Sequence, residues 1–209
     1  MGAMRRAVTI VDYGMGNLHT VRRKLERIGA SPVVTSDPVK VQGAERLVLP
    51  GVGHFGRAMA NLAALHLVEA LAEAAQVRRV PVLGICLGMQ LLARRSEEGD
   101  AAGLGWIEAE VVRFAVPDPR RIKVPHMGWN DVIPTRPSDL LRNLPPRADF
   151  YFVHSYHVVC RDPALALGET DYAYRFTSVV ERDNVVGVQF HPEKSHDAGD
   201  RLLENFLAR

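Results

Sequence analysis

Cysteine is scarce in this chain of 209 residues, which contains only Cys86 and Cys160. Two cysteines cannot form a disulfide framework, and their spacing fits no zinc site. Their small number favours a reducing compartment, because disulfides persist in oxidising ones. We therefore expect a cytoplasmic protein without a bound structural metal.

Long apolar runs and a strong excess of one charge are absent too. No stretch approaches the roughly 20 apolar residues of a membrane span, and the amino terminus has no signal-peptide pattern. The net charge of +2 at pH 7 is too small to indicate a nucleic-acid-binding surface. We expect neither a membrane nor a nucleic acid among the partners of this protein.

What the chain does contain is the composition of a globular protein, with 47% hydrophobic and 24% charged residues. In its first half, short apolar runs alternate with segments of helical periodicity. Four buried strands are predicted there, at 6–12, 32–35, 46–49 and 80–85. Helices are predicted between and after them, at 18–28, 57–76 and 87–94.

The second half is dominated by strand-like segments. They lie at 106–114, 124–132, 150–159, 176–181 and 185–190, ahead of a C-terminal helix at 198–207. The alternation of strands and helices in the first half predicts a parallel sheet that is covered on both faces. We therefore predict one α/β domain over residues 4–209, with an antiparallel extension in its second half, and regard residues 1–3 as an expression remnant.

Cys86 lies in the segment GICLGMQ, where a predicted buried strand meets a helix. The pattern Gly84-x-Cys86-x-Gly88 has the spacing of the G-x-S-x-G nucleophile elbow, with cysteine in place of serine. Such a turn lifts the side chain at the carboxyl end of the sheet, where open α/β sheets bind ligands. The helix N-terminus favours a thiolate there, and the Leu87 amide can stabilise an oxyanion. A structural role is the commoner fate of a free cysteine, but the flanking glycines favour a nucleophile.

A cysteine nucleophile needs a base, and His191 is the best candidate among the eight histidines. Pro192 biases this histidine towards an extended backbone, in which residues i and i+2 point the same way. Glu193 is therefore predicted to orient the imidazole, although the motif alone also fits a surface pair near a turn. His154 and His157 are predicted to point to opposite faces of one strand, which argues against a shared metal site.

The segments GICLGMQ and HPEK together resemble the motifs of the class I glutamine amidotransferases. The resemblance implies a flavodoxin-like fold and hydrolysis of the glutamine side-chain amide by a triad. Cys86 would be its nucleophile, His191 its base and then acid, and Glu193 the orienting carboxylate. Four further segments, DYGMGNL, LPGVGHF, PHMGWN and YFVHSYH, are similar to the glutaminase subunits of imidazole glycerol phosphate synthases, and the similarity covers nearly the whole chain.

The same resemblance assigns roles outside the triad. It places the backbone amides of Val52 and Leu87 in the oxyanion hole. It implies a glutamine pocket that is formed by Gly53, Gln90, Glu98, Ser155 and Tyr156. It implies a partner-docking face that contains Asn17, Met127, Trp129, Asn130 and Lys194. The family often has threonine where this chain has Ser155, a harmless change if that position contributes its backbone. No cofactor and no metal are implied.

The implied partner is a (β/α)₈-barrel cyclase in a heterodimer. Ammonia would pass through the barrel to a ribonucleotide, giving imidazole glycerol phosphate and an aminoimidazole carboxamide ribonucleotide in histidine biosynthesis. The chain has no Walker pattern, which is consistent with nucleotide chemistry in the partner. Glycines on both sides of Val52 make rotation of the Gly51–Val52 peptide cheap. We hypothesise that this rotation switches the enzyme on, the alternative being a simple tight turn.

Three other functions remain open from the sequence. The glutaminases of pyridoxal phosphate, anthranilate and GMP synthesis share the cysteine and histidine motifs, but LPGVGHF and PHMGWN disfavour them. An inactive regulatory module on the same fold is disfavoured by the intact triad. A cysteine hydrolase acting on peptides or γ-glutamyl compounds is disfavoured by Gln90 and Glu98, which match glutamine-binding positions.

Overall fold

Residues 6–118 and 120–209 are described by the computed structural model. The expectation that residues 1–3 are an expression remnant lies outside these ranges. The first half contains β1 (Arg6–Val11), α1 (Leu18–Arg27), β2 (Ala30–Thr35), α2 (Pro38–Gln42), β3 (Leu47–Gly51), α3 (Phe55–Ala64), α4 (Leu67–Ala72), β4 (Val82–Cys86) and α5 (Leu87–Leu91). The second half contains β5 (Arg95–Ser96), β6 (Ala101–Ala102), β7 (Ala109–Arg113), β8 (His126–Pro134), β9 (Ala148–His154), β10 (Tyr156–Cys160), β11 (Ala166–Asp171), β12 (Arg175–Arg182), β13 (Val185–Val188) and α6 (His196–Leu207).

One continuous sheet runs through these elements. Strands β2, β1, β3, β4 and β13 pair in that order and are parallel, which is the flavodoxin-like order 2-1-3-4-5. Strand β12 pairs antiparallel with β13, and β10 pairs antiparallel with β12 and β7. The hairpin of β8 and β9 joins through β11. The predicted α/β sheet, mostly parallel in its first half and extended by antiparallel strands, is confirmed.

The apolar core lies in two layers, one on each face of the sheet. One layer packs α3 and α4 against the sheet, with Phe55 and Leu67 fully buried. The other packs α1 and α6, with Leu25 and Phe206 fully buried. Helices therefore cover both faces, as the nearly uninterrupted apolar strands require.

Several predicted elements differ from the structure in their bounds or continuity. The helix predicted at 57–76 is interrupted at His66, whose φ of 54° ends one helix and redirects the next. The helix predicted at 87–94 ends at Leu91. The strand predicted at 150–159 is broken at Ser155, so that β9 and β10 are separate strands.

Within the described ranges, no single helix is long and apolar enough to cross a bilayer. The segments Phe55–Ala64 and Leu67–Val77 meet that test only when they are joined, and they are bent by 94° at their break. Both segments pack in the core through buried leucines such as Leu62 and Leu71.

Candidate active site

Cys86 stands at a sharp turn between β4 and α5. Its φ is 53°, a conformation that residues with a Cβ adopt only at a cost of about 1–3 kcal/mol. A Cβ on Gly84 would lie 2.6 Å from the carbonyl oxygen of Gly88, and a Cβ on Gly88 would lie 1.7 Å from that of Leu49. Both flanking glycines are therefore required by close backbone contacts. The elbow that the sequence predicted is present.

His191 and Glu193 form a buried pair beside this turn. The His191 Nδ1 atom lies 2.8 Å from a carboxylate oxygen of Glu193, and their side chains are 3% and 2% exposed. His191 is extended as predicted, but Pro192–Lys194 forms a 3₁₀ turn. The two side chains therefore meet because the backbone turns tightly, and the predicted extended segment was wrong beyond the histidine.

Backbone and hydroxyl contacts hold the His191 segment in place. The amide of His191 donates to the carbonyl of Tyr151 at 2.9 Å. The hydroxyl of Ser195 donates to the carbonyl of His191 at 2.6 Å and accepts from the amide of Tyr151 at 3.0 Å. A Cβ on Gly199 would lie 1.9 Å from the carbonyl oxygen of Pro192, so α6 packs directly on the turn. The imidazole is thus fixed by the fold before any substrate arrives.

The electrostatics of the pair favour a protonated imidazole. Burial lowers the pKa of His191, but the sulfur of Cys86 and the carboxylate of Glu193 more than offset this and raise it to about 10. The Nε2 atom of His191 is buried and has no hydrogen-bond partner within residues 6–118 and 120–209. With Nδ1 bonded to the carboxylate, Nε2 is the ring atom available for proton transfer.

A pocket of about 320 Å³ opens at Cys86. It is lined by residues from β4, α5, β9 and β10 and by neighbouring loops. All of the residues that the resemblance assigned to glutamine binding or to the oxyanion hole line it, namely Val52, Gly53, Leu87, Gln90, Glu98, Ser155 and Tyr156. A carboxylate oxygen of Glu98 accepts from the Phe55 amide at 2.8 Å, which orients that side chain.

The end of β3 passes close to Cys86. Gly51 is paired with Cys86 in the sheet, and the hydroxyl of Tyr13 donates to the carbonyl of Pro50 at 2.7 Å. A Cβ on Gly51 would lie 2.3 Å from that hydroxyl oxygen. Val52, in contrast, is 43% exposed. The strand is held tightly up to Gly51, and the segment becomes open at Val52, where the resemblance places an oxyanion donor.

Gln189 is a residue that the sequence reasoning missed. It is fully buried, and its Nε2 lies 3.6 Å from the Cys86 sulfur as a donor. Its Oε1 accepts from Gln90 at 3.1 Å. The signal was a polar residue within the apolar run VVGVQF, two positions before His191. A buried amide at such a place needs a partner, and here the partner is the Cys86 sulfur.

Replacing Gln189 with methionine removes a donor to the sulfur while preserving side-chain length. Hydrogen bonds to charged groups contribute about 1.5–3 kcal/mol, so we expect kcat/KM for glutamine to fall about 10- to 100-fold. Steady-state glutamate release measures this, and urea unfolding of the same variant checks that the fold persists. An unchanged kcat/KM would show that the contact has no role in the reaction.

The sequence motifs are shared with known proteins. The family described as "Glutamine amidotransferase class-I" matches residues 9–209. The chain belongs to this family. Among relatives, the amidotransferase is 50% identical over 202 residues to imidazole glycerol phosphate synthase subunit HisH of Moorella thermoacetica, covering 96% of this chain and 94% of that one. It is 46% identical over 200 residues to subunit HisH 2 of Methanococcus maripaludis, covering 96% and 98%.

Solved structures resemble the amidotransferase in fold. PurLQS from Thermotoga maritima superposes with a TM-score of 0.77 at 19% identity, covering 98% of this chain and 99% of that one. A glutamine amidotransferase from the same organism gives a TM-score of 0.64 at 18% identity, covering 98% and 83%. At such identities the similarity supports the fold alone.

An apolar face of the amidotransferase lies on β8. Met127 and Trp129 are 61% and 49% exposed, on the same side of the strand. The indole stacks on the ring of His196 with centroids 4.9 Å apart and planes at 3°. Lys194 places its ammonium 5.4 Å from the ring centroid of Tyr151. This face, which we call the β8 face, contains three of the five residues that were predicted to dock a partner.

The other two predicted docking residues are bonded within the chain. The Asn17 side chain accepts from the Thr20 amide at 3.2 Å and so caps α1. Asn130 points away from the β8 face, and its amide donates to the carbonyl of Asp171 at 2.9 Å. Their part in docking stays a prediction.

The prediction that His154 and His157 point to opposite faces of one strand was wrong. The break at Ser155 turns the chain, so that both rings are buried and pack on Phe114, with ring centroids 5.3 and 4.6 Å away. A continuous strand would have sent them to opposite faces.

Proposed function

We propose that this chain is the glutaminase subunit of an imidazole glycerol phosphate synthase. It hydrolyses glutamine to glutamate and ammonia and delivers the ammonia to a (β/α)₈-barrel cyclase. The observation that carries this is Cys86 at the mouth of a pocket with Gln90 and Glu98, beside the buried pair of His191 and Glu193. Identities of 46–50% over nearly the full chain support this synthase over others that use the same chemistry.

The first half of the reaction forms a thioester. The Cys86 thiolate attacks the side-chain amide carbon of glutamine, and the carbonyl electrons move onto oxygen. The amides of Leu87 and Val52 stabilise that oxyanion. The protonated Nε2 of His191 gives its proton to the amide nitrogen, the C–N bond breaks, and ammonia leaves.

The second half releases glutamate. Neutral His191 accepts a proton from a water molecule, whose oxygen attacks the thioester carbon. The C–S bond then breaks, and the Cys86 thiolate returns beside a protonated imidazole. Glu193 holds Nδ1 throughout, so that Nε2 always faces the reacting atoms.

Rotation of the Gly51–Val52 peptide would bring the Val52 amide to the oxyanion when the barrel cyclase has bound its ribonucleotide ligand. Gly51 packs closely against the Tyr13 hydroxyl, whereas Val52 is partly exposed. These two observations support a movement that is confined to the peptide between them. The open glutamine pocket would thus stay nearly inactive until ammonia can be used.

Replacing Val52 with proline removes this amide hydrogen. We expect the partner-stimulated kcat to fall about 10²- to 10³-fold, because that is the usual cost of losing one oxyanion donor. Val52→Ala is the matched control, since it shortens the same side chain and keeps the amide. Equal stimulated rates in the two variants would remove Val52 from the oxyanion hole.

The β8 face is the proposed contact with the barrel, in a heterodimer. A half-exposed Trp129 that stacks on His196 is a typical interface anchor. Residues 4–209 would act as one amidotransferase domain without cofactor or metal, in the cytoplasm, where a catalytic thiol stays reduced.

The deciding experiment measures glutamate release from glutamine by the chain alone and with the barrel cyclase and its ribonucleotide ligand. We expect weak activity alone and strong activity in the mixture. High activity of the chain alone would support the glutaminase assignment and contradict the proposed gating by the partner. No activity in any mixture would leave an inactive module or another synthase partner.

A further inference from the structure

Two buried histidines lie between the β8 face and the glutamine pocket. His126 on β8 and His154 on β9 are direct cross-strand neighbours, and they are 2% and 6% exposed. The Nδ1 atom of His126 lies 3.0 Å from the Nε2 atom of His154. The reaction proposed above uses neither ring, although both carry polar atoms in an otherwise aromatic part of the core.

The position of the proton on His154 follows from its other contact. Its Nδ1 atom lies 2.8 Å from the carbonyl oxygen of Tyr156, which can only accept. Nδ1 must therefore carry a hydrogen. In a neutral ring Nε2 is then an acceptor, so the hydrogen in the contact between the two histidines belongs to Nδ1 of His126.

The other side of His126 agrees with this direction. Its Nε2 atom, now an acceptor, lies 3.3 Å from the side-chain nitrogen of Asn130. That nitrogen also donates to the carbonyl of Asp171 at 2.9 Å, while the side-chain oxygen of Asn130 accepts from the Asp131 amide at 2.9 Å. The amide orientation and both imidazole tautomers are thus mutually consistent, with every donor facing an acceptor.

Their surroundings keep both rings neutral. The His126 ring is stacked on Phe152 and on Tyr172, with ring centroids 4.7 and 4.0 Å away. Burial lowers the pKa of His126 to about 4. Burial also lowers the pKa of His154 to about 3, with a smaller contribution in the same direction from His126, His157 and His191. A second proton on either ring would abolish an acceptor that the chain of hydrogen bonds requires.

The series of hydrogen bonds continues from Tyr156 to Cys86. The Tyr156 carbonyl that accepts from His154 also accepts from the Gln90 amide at 3.0 Å. Gln90 donates in turn to Gln189, and Gln189 donates to the Cys86 sulfur. Because this carbonyl can only accept, it fixes the direction of the hydrogen bonds on both of its sides, those towards His126 and those towards Cys86.

We propose that His126 and His154, held as Nδ1–H tautomers, are positioning residues that fix the Tyr156 carbonyl and thereby aim the Gln90 amide in the glutamine pocket. The predicted effect on glutamine binding rests on the proposed function, whereas the assignment of the two tautomers does not. Because His126 is next to Met127 on β8, the same hydrogen bonds connect the β8 face to the glutamine pocket.

Long-range ¹H–¹⁵N correlation spectra of the uniformly ¹⁵N-labelled full chain test the tautomers directly. We expect His126 and His154 to be Nδ1–H tautomers at pH 7 and to remain neutral down to pH 5. Their signals are assigned by loss in His126→Asn and His154→Asn. An Nε2–H tautomer at either ring, or titration of either ring near pH 6.5, would overturn the proposal.

Kinetics with glutamine in the complex with the barrel cyclase test the positioning. His126→Leu removes the donor to His154, and we expect KM for glutamine to rise about tenfold, the usual scale of one buried hydrogen bond. His126→Asn keeps a donor near the Nδ1 position and should restore most of the affinity. His157→Leu is the matched control, because it removes a buried ring that bonds to Tyr174, outside the chain of contacts, and should leave KM unchanged.

The two proposals fail in different ways. Absence of glutamate release by the wild-type complex would overturn the proposed function, and the spectra would still decide the tautomers. If the wild-type complex is active and His126→Leu matches His157→Leu in KM, the positioning role is wrong and the glutaminase remains. A similar rise of KM in both leucine variants would indicate a packing effect only, and would likewise overturn the positioning role.

Discussion

Replacement of Cys86 by alanine should abolish glutamate release, lowering kcat on the order of 10⁵-fold even when the barrel cyclase is present. The alanine variant has no atom that can form the thioester, and the remaining groups only bind and polarise the amide. Because alanine is smaller than cysteine and the turn at φ 53° is held by its glycines, the fold should persist. A coupled assay of glutamate in the full complex measures the loss.

The second cysteine is the natural control for this prediction. Cys160 lies on β10 and is only partly buried, and burial raises the pKa of its thiol to about 11. It therefore remains a thiol at neutral pH, and we expect Cys160→Ala to retain activity within about twofold. Substantial activity in Cys86→Ala, or a comparable loss in Cys160→Ala, would contradict the assignment of the nucleophile.

Exchange of Glu193 for glutamine should lower kcat about 10²- to 10⁴-fold. The Nδ1–H group of His191 donates to the buried carboxylate, with 2.8 Å between the nitrogen and the oxygen. A glutamine amide can turn its NH₂ group towards the ring, which moves the ring hydrogen to Nε2 and removes the base, as a wrong tautomer does in other triads. The same steady-state assay measures kcat. The substitution replaces one carboxylate oxygen by an NH₂ group and leaves the shape of the side chain nearly unchanged.

This substitution also has a pH-dependent effect on stability. Cys86 and Glu193 raise the folded-state pKa of His191 to about 10 against burial, whereas the unfolded value is near 6.5. The resulting stabilisation is fully present below pH 6.5 and is lost as the pH rises through 10. The variant should therefore have a smaller free energy of unfolding than the wild type. Urea unfolding should show the largest difference at pH 6 and only a small one above pH 10.

Glu204→Gln provides the control for both effects. Glu204 lies on α6, is 44% exposed and pairs with Arg201 at 3.2 Å, so the same chemical change is made away from the site. We expect unchanged kcat and a stability difference from the wild type that does not vary between pH 6 and pH 10. Full activity in Glu193→Gln would mean that the carboxylate does not orient His191.

Much of the site could be predicted because its key contacts are local in sequence. Gly84, Cys86 and Gly88 belong to one turn, and a Cβ on Gly84 would meet the backbone of Gly88 only four residues later, although Gly88 itself is required by Leu49 on the neighbouring strand β3. His191 and Glu193 are two residues apart, so a tight turn of almost any kind brings them together. The prediction that they share an extended segment was wrong without affecting the contact.

Contacts between distant segments could not be predicted from the residues alone. Gln189 reaches the Cys86 sulfur across 103 positions of sequence. His126 and His154 are 28 positions apart and meet only because β8 and β9 pair in one particular register. The resemblance to a family supplied the pocket residues, but it assigned no role to these three side chains.

The sequence by itself determined the α/β class, the strained turn at Cys86 and the pairing of His191 with Glu193, because short-range sterics and hydrophobic periodicity decide such features. Only the tertiary structure decided which strand ends meet at the pocket and that strand pairing breaks at Ser155. It also decided which groups donate and which accept between Asn130 and Cys86. Those outcomes depend on strand register and on the packing of two core layers, which sum many weak contacts between residues far apart in the chain.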